Sequence, residues 1–582
     1  MATNRRGTGK KVFIVGLDGA TLDLLGPWVE HGELPWLRKM LDRGAVGGLQ
    51  STVPPVTPVA WLSLMTGKGP GRHGVFDLLR PVSADYMEIT AAYGHHCQEP
   101  TLWDILSDRG RKVGLINVPM TYPPKKVNGF MISGIPAPAN KDNYCYPPSL
   151  IPELQAMGWD LTRDASAMAD SYEDNLGYLA ELVETRTQAA MHLMNQYEWD
   201  VFMVHFLETD QVQHIYWRFM EDDATPPPGP AQYGTAILDL FKRIEGSLRR
   251  MTECLDEDTI VMLVSDHGMG PTRYHVNLNN WLLGEGLMVW KRNWAVRLKR
   301  ALYSVGMNPT ALYNLLARRL VRRTLLGRAR TDLAHVPTQD PAAASRRRRG
   351  LAALLRDWLC LSMKDIDWSR TLAYSSGTTQ AGLIYLNVKG RDPQGIVEFG
   401  PQYEELRTLV CRRIVDFIDP DRGERLFARA FRREELYSGA HVPEAPDIVV
   451  LCTKGEYNIP LTRLFLSRKV AEPICDATAS HRMNGLIAMI GPDVVRHDCA
   501  IAGAQITDVA PTILYLLGEE IPSDMDGKVL RGCLTESFVA SNPEKHVAPR
   551  ALPAEPGDEE AALLTPEDLE SLRRTLEGLG YL

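Results

Sequence analysis

Val12-Phe-Ile-Val-Gly-Leu17, followed at once by Asp18 and Gly19, sets the architecture of this chain. A short apolar run rich in β-branched residues suits a strand buried on both faces, and a carboxylate at its exit projects from the sheet edge. The pattern recurs at Val113 to Val118, Val201-Phe-Met-Val-His-Phe206 and Ile260-Val-Met-Leu-Val264. Helix-like stretches lie between these runs, among them Pro35 to Arg43 and Ala236 to Cys254. Such alternation predicts an α/β sandwich with a largely parallel central sheet. Ligands of these folds collect beyond the carboxyl ends of the strands, so the polar residues that follow each run are where chemistry is expected.

Composition sets the outer limits. The chain has 582 residues, 45% of them hydrophobic and 23% charged, more than one core usually holds, so a catalytic core with insertions is expected. A net charge of −8 gives no general preference for nucleic acid, and none is expected as a partner. Nine cysteines stand singly without a CxxC pair, which fits reduced thiols and supplies neither a thiolate metal site nor a disulfide framework. Met1 to Lys11 is polar and basic, and the apolar run after it is too short for a signal or a span; the expected compartment is the cytoplasm.

Charge is unevenly spread. Lys291 to Arg349 holds fifteen Lys and Arg against Asp332 and Asp340. The sequence divides into a first part of the core at 1–283, a basic helical insertion at 284–365, a second part of the core at 366–540, and a linker with a terminal helix at 541–582. Within the insertion Leu312, Leu315, Leu316, Leu320 and Leu326 recur at helical spacing beside Arg318, Arg319, Arg322 and Arg323. A cap with a solvated basic face is the plain reading; a peripheral membrane or polyanion contact is the alternative. Strand-like patterns return at Gly382 to Val388, Pro446 to Leu451 and Gly485 to Ile490.

The chemistry-bearing residues follow the strands. Asp18 alone would be an ordinary turn residue. Val53-Pro-Pro-Val-Thr-Pro-Val-Ala-Trp61 places Pro58 to open a helix, with Thr57 as its N-cap, where a hydroxyl lies beside free N–H groups and the positive end of the helix dipole. Glu208-Thr-Asp-Gln-Val-Gln-His214 sets Asp210 and His214 four apart on one helical face, able to share a divalent cation. His205, inside its strand, is expected in the core or behind the ligands. Ser265-Asp-His-Gly-Met-Gly270 puts Asp266 and His267 on a tight turn at a strand exit. His481, in Ser480-His-Arg-Met-Asn-Gly485, is weak taken alone. Arg72, His73 and Arg482 neighbour these motifs; each could contact a phosphate oxygen, and a structural role is read at least as readily.

Taken together, the motifs and their order resemble the alkaline-phosphatase superfamily, specifically its type I phosphodiesterase and nucleotide pyrophosphatase branch. The similarity runs over about 11–283 and 366–530 and includes Thr507-Asp-Val-Ala-Pro-Thr-Ile-Leu-Tyr-Leu-Leu-Gly518 and Asp526-Gly527. It implies an alkaline-phosphatase-like three-layer sandwich and two divalent metal ions, Zn²⁺ or else Mn²⁺. One would be held by Asp18, Thr57, Asp266 and His267, the other by Asp210, His214 and His481. It further implies Thr57 as the nucleophile toward a small phosphate ester, through a phosphothreonine intermediate opened by water. Ala60 stands where the nucleotide pyrophosphatases typically place an Asn that holds a phosphoryl oxygen, which counts against nucleotide substrates. The sulfatase pattern Cys-x-Pro-x-Arg is absent. A transferase on the same scaffold and a non-catalytic membrane- or polyanion-binding protein are the competing readings; monoester or diester preference and oligomeric state stay open.

Overall fold

The computed structural model describes residues 10–81, 86, 89–138, 143–159, 171–221, 231–304, 360–376, 381–459, 465, 467–495, 500–549, 565, 567–568 and 571–572. The Leu312 to Leu326 helix expected in the insertion lies outside the described residues, as does nearly all of the expected terminal helix.

Among the described residues nine strands form the central sheet, in the order Ala500–Gln505, Ala45–Gln50, Asn484–Ile490, Thr259–Val264, Lys11–Leu17, Val201–Phe206, Val113–Val118, Gly129–Ser133 and Cys145–Tyr146. The five strands from Thr259–Val264 to Gly129–Ser133 are mutually parallel, while Asn484–Ile490 and Cys145–Tyr146 run against their neighbours. Lys11–Leu17 lies in the middle, with Val12 opposite both Val201 and Ile260, so the three strands end together and present Asp18, Glu208 and Asp266 at one edge.

Alternation along the central strands fills both faces. Val12, Ile14, Val201, Met203, Ile260 and Met262 pack against the helices Thr57–Thr66, Leu102–Asp108 and Val509–Leu516. Phe13, Val15, Phe202, Val204 and Leu263 pack on the other side against Leu22–Glu30, Tyr172–Gln196 and Ala236–Thr252. This is the α/β sandwich with a largely parallel sheet that the run-and-turn pattern predicts, in the three layers that the family resemblance implies.

The later strands divide between two sheets. Ala381–Leu386 and Ile448–Cys452 are strands, but they belong to a separate antiparallel sheet with Ala373–Ser375 and Phe427–Arg432. That sheet, backed by the helix Pro401–Asp416, has its own core around Trp281, Leu386, Val410, Ile414 and Val450. Asn484–Ile490, and after it Ala500–Gln505, rejoin the central sheet. Run length and β-branched content signal a strand but not the sheet it joins. The two layers are linked by the strand pair Gly268–Val276 and Ala471–Arg482, which leaves the site itself.

Candidate active site

All seven residues singled out from the sequence meet at the carboxyl edge of the central strands. Asp18, Asp210, Asp266 and His267 are fully buried, and Thr57 and His481 nearly so. Asp18 leaves its strand through Gly19, whose φ of +68° is open to glycine at little cost. Gly19 N–H donates to Asp266 Oδ1 at 3.3 Å, tying the two strand exits together.

Thr57 opens the buried helix Thr57–Thr66. The expectation that it is the N-cap is corrected by one residue: Val56, with φ −121° and ψ 139°, holds the cap position and accepts from Ala60 N–H at 2.9 Å. Pro58 fixes the first turn and has no N–H to give, which lets the helix start one residue earlier. The hydroxyl still lies in the first turn, 3.2 Å from His267 Nε2.

Asp210 and His214 sit one turn apart on the helix Glu208–Met220, which begins directly after Val201–Phe206. His481 arrives from far along the chain by strand register. Gly268–Val276 pairs antiparallel with Ala471–Arg482, placing Met269 opposite His481, and the rings of His267 and His481 stack at 3.7 Å.

The donors form two adjoining sets, with His267 within 4.8 Å of Asp210 and His481 as well as of Asp18 and Asp266. Around His267 Nε2 lie Thr57 Oγ1 at 3.2 Å, Asp266 Oδ2 at 3.2 Å and Asp18 Oδ1 at 3.4 Å. In the second set His214 Nε2 is 3.1 Å from His481 Nε2 and 3.3 Å from Asp210 Oδ1, and His481 Nε2 is 3.6 Å from Asp210 Oδ1. Bonds of about 2.0–2.1 Å at tetrahedral angles separate neighbouring donors by about 3.3 Å, so both sets have the spacing of ligands around one cation.

The donor chemistry fits as well. Each imidazole has its Nδ1 against a backbone carbonyl: His214 on Ala479 O at 2.9 Å, His481 on Pro55 O at 2.8 Å and His267 on Gly268 O at 3.0 Å. A proton held on Nδ1 by such an acceptor leaves the Nε2 lone pair free and aimed. Among the described residues none donates a hydrogen bond to buried Asp18 Oδ1 or Asp266 Oδ2. Burial, then the neighbouring Asp18 and Asp210 carboxylates, push the Asp266 carboxyl well above its ordinary range. Burial and then His267 push the His481 imidazole well below its own. Crowded carboxylates and neutral imidazoles are what divalent cations relieve.

Several residues that hold the candidate donors were not legible as a set. Trp61 Nε1 donates to Asp18 Oδ2 at 3.1 Å, and His205 Nε2 lies 2.9 Å from the same oxygen, behind the ligands as expected. Gly16 makes room for both: a Cβ there would lie 2.8 Å from His205 Cδ2 and from Trp61 Cη2. Thr209 Oγ1 donates to the Asp18 carbonyl at 2.6 Å, and Gln213 Nε2 to the Gly19 carbonyl at 3.2 Å. Their spacing from Asp210 was the available signal.

The three neighbours Arg72, His73 and Arg482 each have a partner within the protein. Arg72 pairs with Asp526 at 2.9 Å. His73, pushed down to about 3 by burial and then by His441, lies 3.0 Å from Ser63 Oγ. Arg482 donates to the carbonyls of Ser480, His481 and Pro271.

Behind the helix that carries Asp210, Arg186 of Tyr172–Gln196 forms an ion pair with Glu208, the two being 2% and 0% exposed. Arg186→Ala strands a buried carboxylate and is expected to destabilise the fold by about 3–5 kcal/mol, read as a lower midpoint in urea unfolding. An unchanged midpoint would show that this pair does not anchor the helix.

A three-layer α/β sandwich with paired Asp/His donor sets around a helix-borne threonine defines a class of phosphoester-cleaving enzymes. The chain belongs to the type I phosphodiesterase / nucleotide pyrophosphatase family, whose model matches residues 12–349. The family is metal-dependent and acts on phosphoester-type bonds. Phosphonoacetate hydrolase from Sinorhizobium meliloti 1021, solved with phosphonoformate, is similar in structure at a TM-score of 0.45 and 15% identity, over 87% of this chain and 95% of that one. Murine ectonucleotide pyrophosphatase / phosphodiesterase 5, solved with AMP, is similar at a TM-score of 0.45 and 11% identity, over 90% of this chain and 100% of that one. GPI ethanolamine phosphate transferase 3 of Eremothecium gossypii is 29% identical over 112 residues, 17% of this chain. The chain matches 10% of that relative's length.

Proposed function

We propose that this protein hydrolyses small phosphate esters, with Thr57 as nucleophile and with two divalent cations. Asp18, Thr57, Asp266 and His267 would hold one; Asp210, His214 and His481 would hold the other. The observation that carries the reading is Thr57 Oγ1 in the first turn of a buried helix, 3.2 Å from His267 Nε2 and within the first donor set. Mixed Asp and His donors suit Zn²⁺, and Mn²⁺ after it. Bound there, the cations would neutralise the phosphate oxygens and lower the pKa of the Thr57 hydroxyl.

The chain's own groups account for the remaining chemistry. Thr57 Oγ1 gives up its proton and bonds to phosphorus as the bond to the leaving alcohol breaks, and the alcohol leaves protonated. Water then attacks phosphorus, the Thr57 oxygen departs and recovers a proton, and the phosphate product is freed. Splitting one displacement into two gives each an easier nucleophile and leaving group. Trp61 and His205 fix Asp18 Oδ2, so its other oxygen faces the first set. Ala60 offers no side-chain donor to a phosphate oxygen, and first-turn N–H groups of the Thr57 helix are assigned that task.

Metal-stripped protein resupplied with Zn²⁺ or Mn²⁺ is expected to release p-nitrophenol from p-nitrophenyl phosphate or bis-p-nitrophenyl phosphate. The faster of the two separates monoesterase from diesterase. Turnover of neither would overturn the hydrolytic reading.

The match to an ethanolamine phosphate transferase supports a second reading, in which an alcohol replaces water in the second displacement. Release of p-nitrophenol that depends on an added alcohol such as glycerol, with the ester product recovered, would favour it.

A further inference from the structure

The helix Trp294–Ser304 turns an apolar ridge outward. Its inner face is made by Val296, which is buried, and by Lys299 and Tyr303, which are half-buried; Lys299 reaches Asp365 at 3.1 Å and Tyr303 bonds the Ser467 carbonyl. On the opposite face Trp294, Leu298 and Ala301 succeed one another at i, i+4 and i+7, with Trp294 73% and Leu298 42% exposed. Large exposed apolar side chains scattered singly mean little, but two in register on one helix face form a surface suited to a partner.

The rim of that ridge is basic. Lys291, Arg292, Arg297 and Arg300 are all exposed, and residues 291–304 contain no Asp or Glu. The chain as a whole carries −8, so this is a local cationic patch on an acidic protein. A cleft of ≈ 270 Å³ beside Trp294 is lined by Leu298, by Lys291, Lys299 and Lys364, and by Asp365, which is paired with Lys299. An indole and a leucine at the centre with arginine and lysine around them is the arrangement of a helix lying in a membrane interface. There the ridge enters the headgroup and acyl boundary while the cations meet lipid phosphates. A nucleic acid would be met by cations along the crest of the helix, and here the crest is apolar.

We infer that Trp294–Ser304 is a peripheral docking element for an anionic phospholipid surface, holding the protein against a bilayer without crossing it. No helix among the described residues is long and apolar enough to span one. The inference does not depend on the proposed activity, because none of these side chains belongs to the donor sets.

Co-sedimentation of the full chain with vesicles tests it. Vesicles of phosphatidylcholine in which part is replaced by phosphatidylserine should carry the protein down, those of phosphatidylcholine alone should not, and added salt should release it. The pair Trp294→Ala and Leu298→Ala, and separately the pair Arg297→Glu and Arg300→Glu, should each weaken binding at least about tenfold. All four side chains are exposed, so an unchanged thermal midpoint will show that the variants are folded. Absence of binding to anionic vesicles would overturn the inference. So would binding that survives both pairs of substitutions, or binding to single-stranded RNA in place of vesicles.

Discussion

Thr57→Ala is expected to lower kcat/KM for p-nitrophenyl esters by at least about a thousandfold, because a displacement that needs a covalent intermediate has no substitute for its nucleophile. The change removes a hydroxyl and a methyl from a side chain 1% exposed in the first turn of a helix whose other residues are all buried, so the helix should survive it. Thr57→Ser keeps the oxygen and should retain a substantial part of the rate, which separates lost chemistry from a disturbed helix. Rapid quench of wild-type protein with ³²P-labelled substrate should trap label on the protein, and the Ala variant should trap none. A Thr57→Ala variant that turns over at the wild-type rate would remove Thr57 from the mechanism and leave a direct attack by water.

The parts of this site that could be read from the sequence are those that chemistry places next to a strand end. Asp18, Asp210 and the Asp266-His267 pair each follow a short apolar run within a few residues, and a parallel sheet brings such ends together whatever lies between. His481 had no such support and entered only through the family resemblance. It lies beyond the residues the family model matches and enters through the register that sets it opposite Met269, a relation between strands that one-dimensional spacing does not encode. The acceptors on the three imidazoles, the carbonyls of Pro55, Gly268 and Ala479, were invisible for a different reason: every residue has a carbonyl. Trp61 was within reach, one helical turn after Thr57, but an indole in an apolar helix reads as core until its N–H is seen on Asp18. The strands Ala381–Leu386 and Ile448–Cys452 were legible as strands, and their sheet was not, because buried runs look alike in either layer.

Removing metal should abolish turnover and also lower the thermal midpoint, and the second effect tests the donor sets without relying on catalysis. Asp18, Asp210 and Asp266 are fully buried within one edge of the sheet, and three imidazoles aim their Nε2 atoms at the same space. Without cations the carboxylates face one another across a region of low polarisability, where like charges repel strongly. A cation that binds only the folded chain adds about 2.7 kcal/mol at a free concentration one hundred times its Kd, so chelation followed by Zn²⁺ or Mn²⁺ should lower and then restore the midpoint. Asp266→Asn sharpens the test, because it removes one crowded charge and one ligand together. The metal-free variant should be at least as stable as metal-free wild type, yet the added cation should raise its midpoint by less. A residue that merely packs would do neither: its replacement would destabilise both forms alike. An identical midpoint with and without metal, together with an Asp266→Asn variant that is weaker in both states, would mean that the buried acids are held by the protein's own histidines and that the cation sets do not exist.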